Sequence, residues 1–337
     1  METIEIGTTG ITASRIGLGA WAIGGWMWGG VDEADAIATI HAALDRGVTL
    51  IDTAPIYGFG RSEEIVGRAL SDGGRRQRAI IASKCGLEKS AEKLPFRNCS
   101  ARRIEAEVED SLRRLGTDVI DLYQVHWPDL ETPFEETARA MDRLLRAGKI
   151  RAIGVSNHSP AQMAAFAETA PLHTAQPPYN LFERGVEADV LPWCREHGVV
   201  TLVYGAICRG LLSGRMSPAT TFVGDDLRQW DPKFREPHYS GYLRAVERLD
   251  ALARERFGRR VVHLALRWLL DQPGVGIALW GARRPEQLEP LAGIDGWSLD
   301  AAAMAEIDRI LTESVPEPIG PEFMAPPERR PSPPAAG

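Results

Sequence analysis

Four residues whose types can move protons stand where apolar runs of this chain end. Leu50-Ile51-Asp52-Thr53-Ala54-Pro55-Ile56-Tyr57-Gly58 carries an aspartate and a tyrosine, Ala79-Ile80-Ile81-Ala82-Ser83 runs into Lys84, and Val119-Ile120-Asp121-Leu122-Tyr123-Gln124-Val125 delivers His126. A carboxylate at the end of a buried strand is costly without a cation beside it, so Asp52 asks for Lys84. A phenol with a pKa near ~10 is a poor proton shuttle at neutral pH, and a nearby ammonium lowers that value. Lys84 is therefore the expected activator of Tyr57, with Asp52 holding its charge. His126 would orient and polarise a carbonyl while Tyr57 supplies the proton. No side chain donates a hydride, so this chemistry needs a redox cofactor. Taken singly, each residue has a plainer reading: a turn cap, a rim tyrosine, a solvated lysine, a core histidine. Together, at successive strand ends, they read as a site.

Something must hold those ends side by side. Short apolar runs near Ile16–Leu18, Thr49–Ile51, Ala79–Ser83, Val119–Val125, Ala152–Val155, Thr174–Ala175, Val200–Val203 and Gly276–Leu279 alternate with helical patterns. Parallel neighbours require crossover connections, so the alternation predicts an α/β fold, a (β/α)8 barrel. Residues Thr3 to Gly7 and Gly10 to Ser14 read as an N-terminal hairpin capping one end. Asp32 caps a helix closed by Gly47, Ser62-Glu63-Glu64 opens a second, and Ser100 to Leu115 forms a third ending at Gly116. Thr132-Pro133 and Ser159-Pro160 open two more. The stretch between Val203 and Ile277 is too long for an ordinary connection and is expected to close over a bound cofactor. One barrel domain over residues 1–315 and a proline-rich tail over 316–337 follow. Arg330-Pro331-Ser332-Pro333-Pro334 reads as disordered, whereas Phe323-Met324 suggests docking at the barrel mouth.

A net charge of -7 argues against nucleic acid as a partner. Met1-Glu2-Thr3-Ile4-Glu5 has neither a basic nor an apolar leader region, and no stretch stays apolar long enough to cross a membrane, so the chain is expected in the cytoplasm. Its partner is a small molecule, and it is expected as a monomer or weak homo-oligomer. The cysteines Cys85, Cys99, Cys194 and Cys208 form no C-x-x-C pair and read as reduced thiols. Cys85 and Cys208 lie beside proposed site residues, so alkylation is expected to inhibit.

These positions resemble the aldo-keto reductase family, in which Asp, Tyr, Lys and His at such strand ends form the active site. Gly17-Leu18-Gly19-Ala20-Trp21, Gly154-Val155-Ser156-Asn157, Gln176 before Pro177-Pro178-Tyr179-Asn180, and Gly210-Leu211-Leu212-Ser213-Gly214-Arg215 are similar to family signatures in family order. Trp26-Met27-Trp28-Gly29-Gly30, Gly224-Asp225-Asp226-Leu227-Arg228 and Gly320-Pro321-Glu322-Phe323-Met324-Ala325-Pro326-Pro327 bring it closest to the bacterial stress-associated, NADPH-dependent branch.

The resemblance implies a nicotinamide dinucleotide across the barrel mouth. Ala20, Trp21 and Asp52 would stand beside it, and Ser156, Asn157 and Gln176 would hold its carboxamide. Tyr204 would stack on the nicotinamide. Backbone amides of Gly205, Ala206, Ile207, Cys208, Arg209 and Gly210 would face the pyrophosphate, with Arg215 and Arg228 as fixed charges. Gly281, Ala282, Arg283 and Gln287 form the far end. There Arg283 and Arg284 at a strand-to-helix turn suit a 2′-phosphate, so NADP(H) is expected before NAD(H). The chain departs from the family at Pro290-Leu291, where many members carry a Glu-Asn pair that reads adenine. No G-x-G-x-x-G follows the first strand, which disfavours a Rossmann site. Trp21, Trp26, Trp28, Phe59 and Trp127 are expected to make an apolar pocket for small aldehydes or ketones.

The same residues admit three other functions. A channel β-subunit-like protein would bind dinucleotide without turnover, although that class carries an extension ahead of the barrel. A barrel hydrolase or isomerase would use Asp52 with Glu63 or Glu64. An NAD(P)-dependent sugar or alcohol dehydrogenase would run the same residues in reverse.

Overall fold

The computed structural model describes residues 1–328, so the Arg330–Pro334 segment lies outside the described residues. The alternation of strand and helix resolves into a barrel. Strands β1 (Thr3–Glu5) and β2 (Thr12–Ser14) pair antiparallel with Thr3 opposite Ser14, forming the expected hairpin. Eight strands close the parallel barrel: β3 (Ile16–Gly19), β4 (Leu50–Asp52), β5 (Ile80–Cys85), β8 (Leu122–Val125), β9 (Ile153–Ser156), β10 (Thr174–Gln176), β11 (Val200–Val203) and β12 (Ile277–Gly281). Between β5 and the next barrel strand rises a small hairpin that the sequence reading did not include, β6 (Leu87–Lys89) with β7 (Pro95–Arg97).

Successive strand residues point to opposite faces, and that period sorts the core into two. Leu50, Ala82, Leu122, Ala152, Leu202 and Ile277 fill the interior together with Ile6, Ile11 and Ala13 around the hairpin, which therefore plugs the N-terminal end of the barrel. Their neighbours Ile51, Ile81, Tyr123, Ile153, Val203 and Ala278 face the helices. Counting two or four residues on from the interior set reaches Asp52, Lys84, Gln124, His126, Ser156 and Tyr204. Interior parity thus carries polar side chains to the C-terminal ends of the strands. Gly154 makes room for one of them, since a Cβ there would lie 2.1 Å from Thr174 Oγ1 and 2.9 Å from Gln124 Cγ.

The helices follow the local signals closely. Asp32 accepts the Asp35 N–H at 3.0 Å ahead of helix Glu33–Asp45, and Ser159 and Gln162 form a reciprocal capping box on Pro160–Ala167. One start differs from expectation. The helix Arg61–Leu70 begins after Gly60, which is left-handed at φ 104°, so Ser62 lies inside it and its hydroxyl donates to Ala20 O at 2.9 Å. Val119–Ile120 fall short of the strand ladder, which starts at Leu122. Among the described residues no helix is long and apolar enough to cross a membrane.

Candidate active site

Asp52 and Lys84 end adjacent strands, and their side chains meet inside the barrel mouth. Lys84 Nζ donates to Asp52 Oδ1 at 2.6 Å, to Thr53 O at 3.0 Å and to Tyr57 Oη at 3.2 Å. Asp52 Oδ2 accepts Gln176 Nε2 at 2.8 Å and Gln124 Nε2 at 3.4 Å. The Tyr57 and His126 rings stand edge to face with centroids 5.6 Å apart. Lys84 is 0% exposed, Asp52 2% and His126 9%, so the four groups act on one another through little water.

That burial overturns one expectation. Instead of being lowered by Lys84, the Tyr57 phenol is pushed well above its ordinary value, first by desolvation and then by the charge on Asp52. Lys84 is lowered by burial, against the opposing charge and hydrogen bond of Asp52. His126 is held well below its ordinary value, by burial and then by the Lys84 charge. The physical result is a protonated phenol beside a neutral imidazole. Tyr57 has an O–H to give, and His126 has one ring N–H to direct at an oxygen.

A cavity of about 420 Å³ opens above this cluster. Trp21, Trp26, Trp28 and Trp127 line it, Trp21 lying nearly parallel to Tyr57 with centroids 5.9 Å apart. Phe59 does not. It packs against Trp26 at 4.8 Å, with the Lys89 ammonium 5.2 Å from its ring, and so supports the wall without forming it. Leu87 and Pro95 from the small hairpin and Pro326 from the tail, none of them singled out in the sequence, take its place, beside Met324 of the tail segment read as docking at the mouth. Pro326 is held there by Arg97, whose Nε donates to its carbonyl at 3.0 Å.

At the other end the cavity wall is polar. Ser156, Asn157, Gln176 and Tyr204 line it and are linked: Ser156 Oγ donates to Gln176 O at 2.8 Å, and Tyr204 Oη donates to Asn157 Oδ1 at 2.9 Å. The segment after β11 contributes Gly205, Ala206, Ile207, Arg209 and Gly210. Two expected contacts need correction. Ala20 and Cys208 are fully buried behind the wall, outside the cavity lining. Although Arg209 borders the cavity, its guanidinium turns inward to Asp231 at 2.6 Å and Glu183 at 2.5 Å, and so is already neutralised.

Arg215, Arg228, Arg283 and the unanticipated Arg260 border the same cavity, beside Gly281, Ala282 and Gln287. Arg228 is paired with Asp226 at 2.5 Å and lies 4.3 Å from the Phe222 ring centroid. Arg283 donates to Trp28 O at 2.6 Å and Gly30 O at 3.1 Å, while its N–H and that of Arg284 share Gln287 Oε1. Arg284 is exposed and outside the lining, so the expected pair is reduced to Arg283. Burial, then repulsion from Arg228, lowers Arg283 below its ordinary value. Converging cations in an acidic chain mark a place for an anion. Hydrogen-bonding amides at one end and guanidinium groups at the other are the donor set a dinucleotide requires, and the residues present fit it.

Other expectations resolve against the chemistry. All four cysteines are buried, and burial raises Cys85 well above the usual thiol range and Cys208 to about 12, so alkylation of the folded protein is not expected to inhibit. Glu63, the hydrolase candidate, is buried and bonded to Ser83 and to Arg114 at 2.7 Å, while Glu64 is exposed; neither borders the cavity. Among the described residues no group of His, Cys, Asp or Glu is arranged to hold a metal.

The family model described as "Aldo/keto reductase family" matches residues 15–312. The chain is 59% identical to a Bacillus subtilis (strain 168) protein named Aldo-keto reductase YhdN, over 98% of this chain and 99% of the relative. It is 37% identical to the NADH-specific methylglyoxal reductase of Escherichia coli (strain K12), over 86% of this chain and 91% of that one. Among solved structures, the glycerol dehydrogenase AKR11B4 from Gluconobacter oxydans aligns with a TM-score of 0.87 and 53% identity, covering 96% of this chain and 99% of the other.

Proposed function

We propose, for a chain that belongs to the aldo/keto reductase family and is an NAD(P)H-dependent oxidoreductase, the reduction of small aldehydes and ketones with Tyr57 as proton donor and NADPH as preferred reductant. The observation that carries this reading is the Lys84 to Tyr57 bond of 3.2 Å at the floor of a cavity that His126 also borders.

The nicotinamide supplies the hydride when bound. His126, kept neutral, directs its ring N–H at the substrate oxygen and fixes the carbonyl within reach of Tyr57. Charge that develops on that oxygen is met by the Tyr57 proton. Lys84 then faces the phenolate with its ammonium, and Asp52 keeps that ammonium charged despite burial. The tryptophan walls exclude water and select for apolar substituents by shape.

Preference for NADPH rests on Arg283, a cation whose guanidinium donates to the Trp28 and Gly30 carbonyls and not to a carboxylate. One relative is named NADH-specific, so family membership alone does not fix the choice. The test is oxidation of NADPH and of NADH by purified protein with methylglyoxal, glyceraldehyde and larger apolar aldehydes. Faster turnover at low NADPH supports both parts of the proposal. Preference for NADH would remove Arg283 from the cofactor reading, and no turnover with either would remove the reductase assignment.

A further inference from the structure

Four charged side chains with no part in the proton chemistry lie buried together behind the wall formed by residues 205–210. Glu183 Oε1 receives Arg209 Nη2 at 2.5 Å and Lys233 Nζ at 2.9 Å, and Asp231 Oδ2 receives Arg209 Nε at 2.6 Å. Glu183 Oε2 also accepts Asn180 Nδ2 at 2.7 Å, and the same amide donates to Gly205 O at 3.1 Å. Both ends of the wall are thus tied to one carboxylate. Arg209 itself is left-handed at φ 52°, as is Cys208 at φ 45°, so the wall's backbone is strained as well as anchored.

The C-terminal segment docks on the same cluster. Lys233 Nζ donates to Gly320 O at 3.0 Å, and Arg209 Nη1 lies 3.7 Å from Met324 Sδ. The Phe323 ring, 39% exposed, has the Arg209 guanidinium 5.4 Å and the Lys233 ammonium 5.8 Å from its centroid. Ile319 N–H is fixed at 2.9 Å by Tyr242 Oη. Cations stripped of water and left with an open face gain from an aromatic ring. Met324 then reaches the cavity wall.

From these contacts we propose that residues 319–324 are a positioning element for dinucleotide binding: docking of Phe323 on Arg209 and Lys233 and retention of the dinucleotide against residues 205–210 are coupled through Glu183. The inference rests on the cofactor reading above and adds a reciprocal requirement. If docking favours binding, binding must favour docking by the same factor.

Phe323→Ala removes the ring without touching the proton donors, and Phe323→Trp restores an aromatic face. Dissociation constants for NADPH and NADH, from quenching of tryptophan fluorescence, are measured beside hydrogen exchange over residues 316–328. The expected result is a Kd about five-fold higher for Phe323→Ala, recovered by Phe323→Trp, at the low end of coupling between sites. Saturating dinucleotide should slow exchange of the segment in the wild-type chain and not in Phe323→Ala. Equal Kd values with turnover alone reduced, or exchange indifferent to dinucleotide, would overturn the coupling and leave the reductase reading intact. Failure of the wild-type chain to bind either dinucleotide would overturn both.

Discussion

Lys84 Nζ stands 2.6 Å from Asp52 Oδ1 with neither side chain open to solvent, so the two are paired out of water. Removing one partner of such a pair leaves an uncompensated buried charge, at a cost of about 3–5 kcal/mol. Lys84→Met should therefore lower the urea midpoint as well as abolish turnover, and Asp52→Asn added to it should recover part of the stability and none of the activity. Equal stability of Lys84→Met and the wild type would show that the carboxylate is neutralised some other way.

Tyr57→Phe keeps the ring that lies nearly parallel to Trp21 and loses only the hydroxyl. Its kcat for aldehyde reduction should fall by about 10²–10⁴, the usual worth of a positioned acid, with the NADPH dissociation constant unchanged. A pre-steady-state trace separates the two quantities.

Arg283→Ala takes away a guanidinium already bound to Trp28 O and Gly30 O. Loss of charge-assisted bonds to a phosphate should raise the Kd for NADPH by about ten-fold or more, and that for NADH by far less. Similar losses for both would mean that Arg283 acts only by holding the Trp28–Gly30 loop.

Glu107 gives a pH test whose sign is unusual for a carboxyl. Burial, opposed by the Arg103 charge and the Gly86 N–H, raises it from 4.5 to about 7. A raised pKa means that the folded state binds the proton more tightly than the unfolded one. Its contribution is fully present below pH 4.5 and is lost as pH rises through about 7. Glu107→Gln should therefore gain on the wild type between pH 5 and pH 8, by up to about 3 kcal/mol, in denaturation at the two values. His158, held at about 4 by burial, has the opposite sign: its contribution is present above 6.5 and lost as pH falls toward 4. An unchanged gap between the two proteins would place the Glu107 proton elsewhere.

Much of the barrel is legible because its signals are local. Alternating parity at Leu50-Ile51-Asp52 and capping at Asp32 and Ser159 are each contained within a few residues. The small hairpin over Leu87–Arg97 is not, since its strands are three residues long, stand above the barrel and carry no core periodicity. The buried ion pairs of Arg209 are not legible in the chain because its partners, Glu183 and Asp231, come from two other loops. Phe59 misleads for a related reason: aromatic type shows that a residue is buried at the mouth, but the left-handed turn at φ 58° decides that Trp26 covers it. Proton affinities are least legible, because Tyr57 is raised first by desolvation and then by the Asp52 charge, and desolvation depends on everything packed around it.

Asp52 and Gln176 sit on β4 and β10, which lie halfway round the closed barrel from each other. The 2.8 Å bond between them is therefore a tie-rod across the full bore, and the carboxylate that keeps Lys84 charged also holds the ring of strands to its diameter. A mutation that lets the barrel grow oval would lengthen this bond and loosen the carboxylate on which the Lys84 ammonium rests.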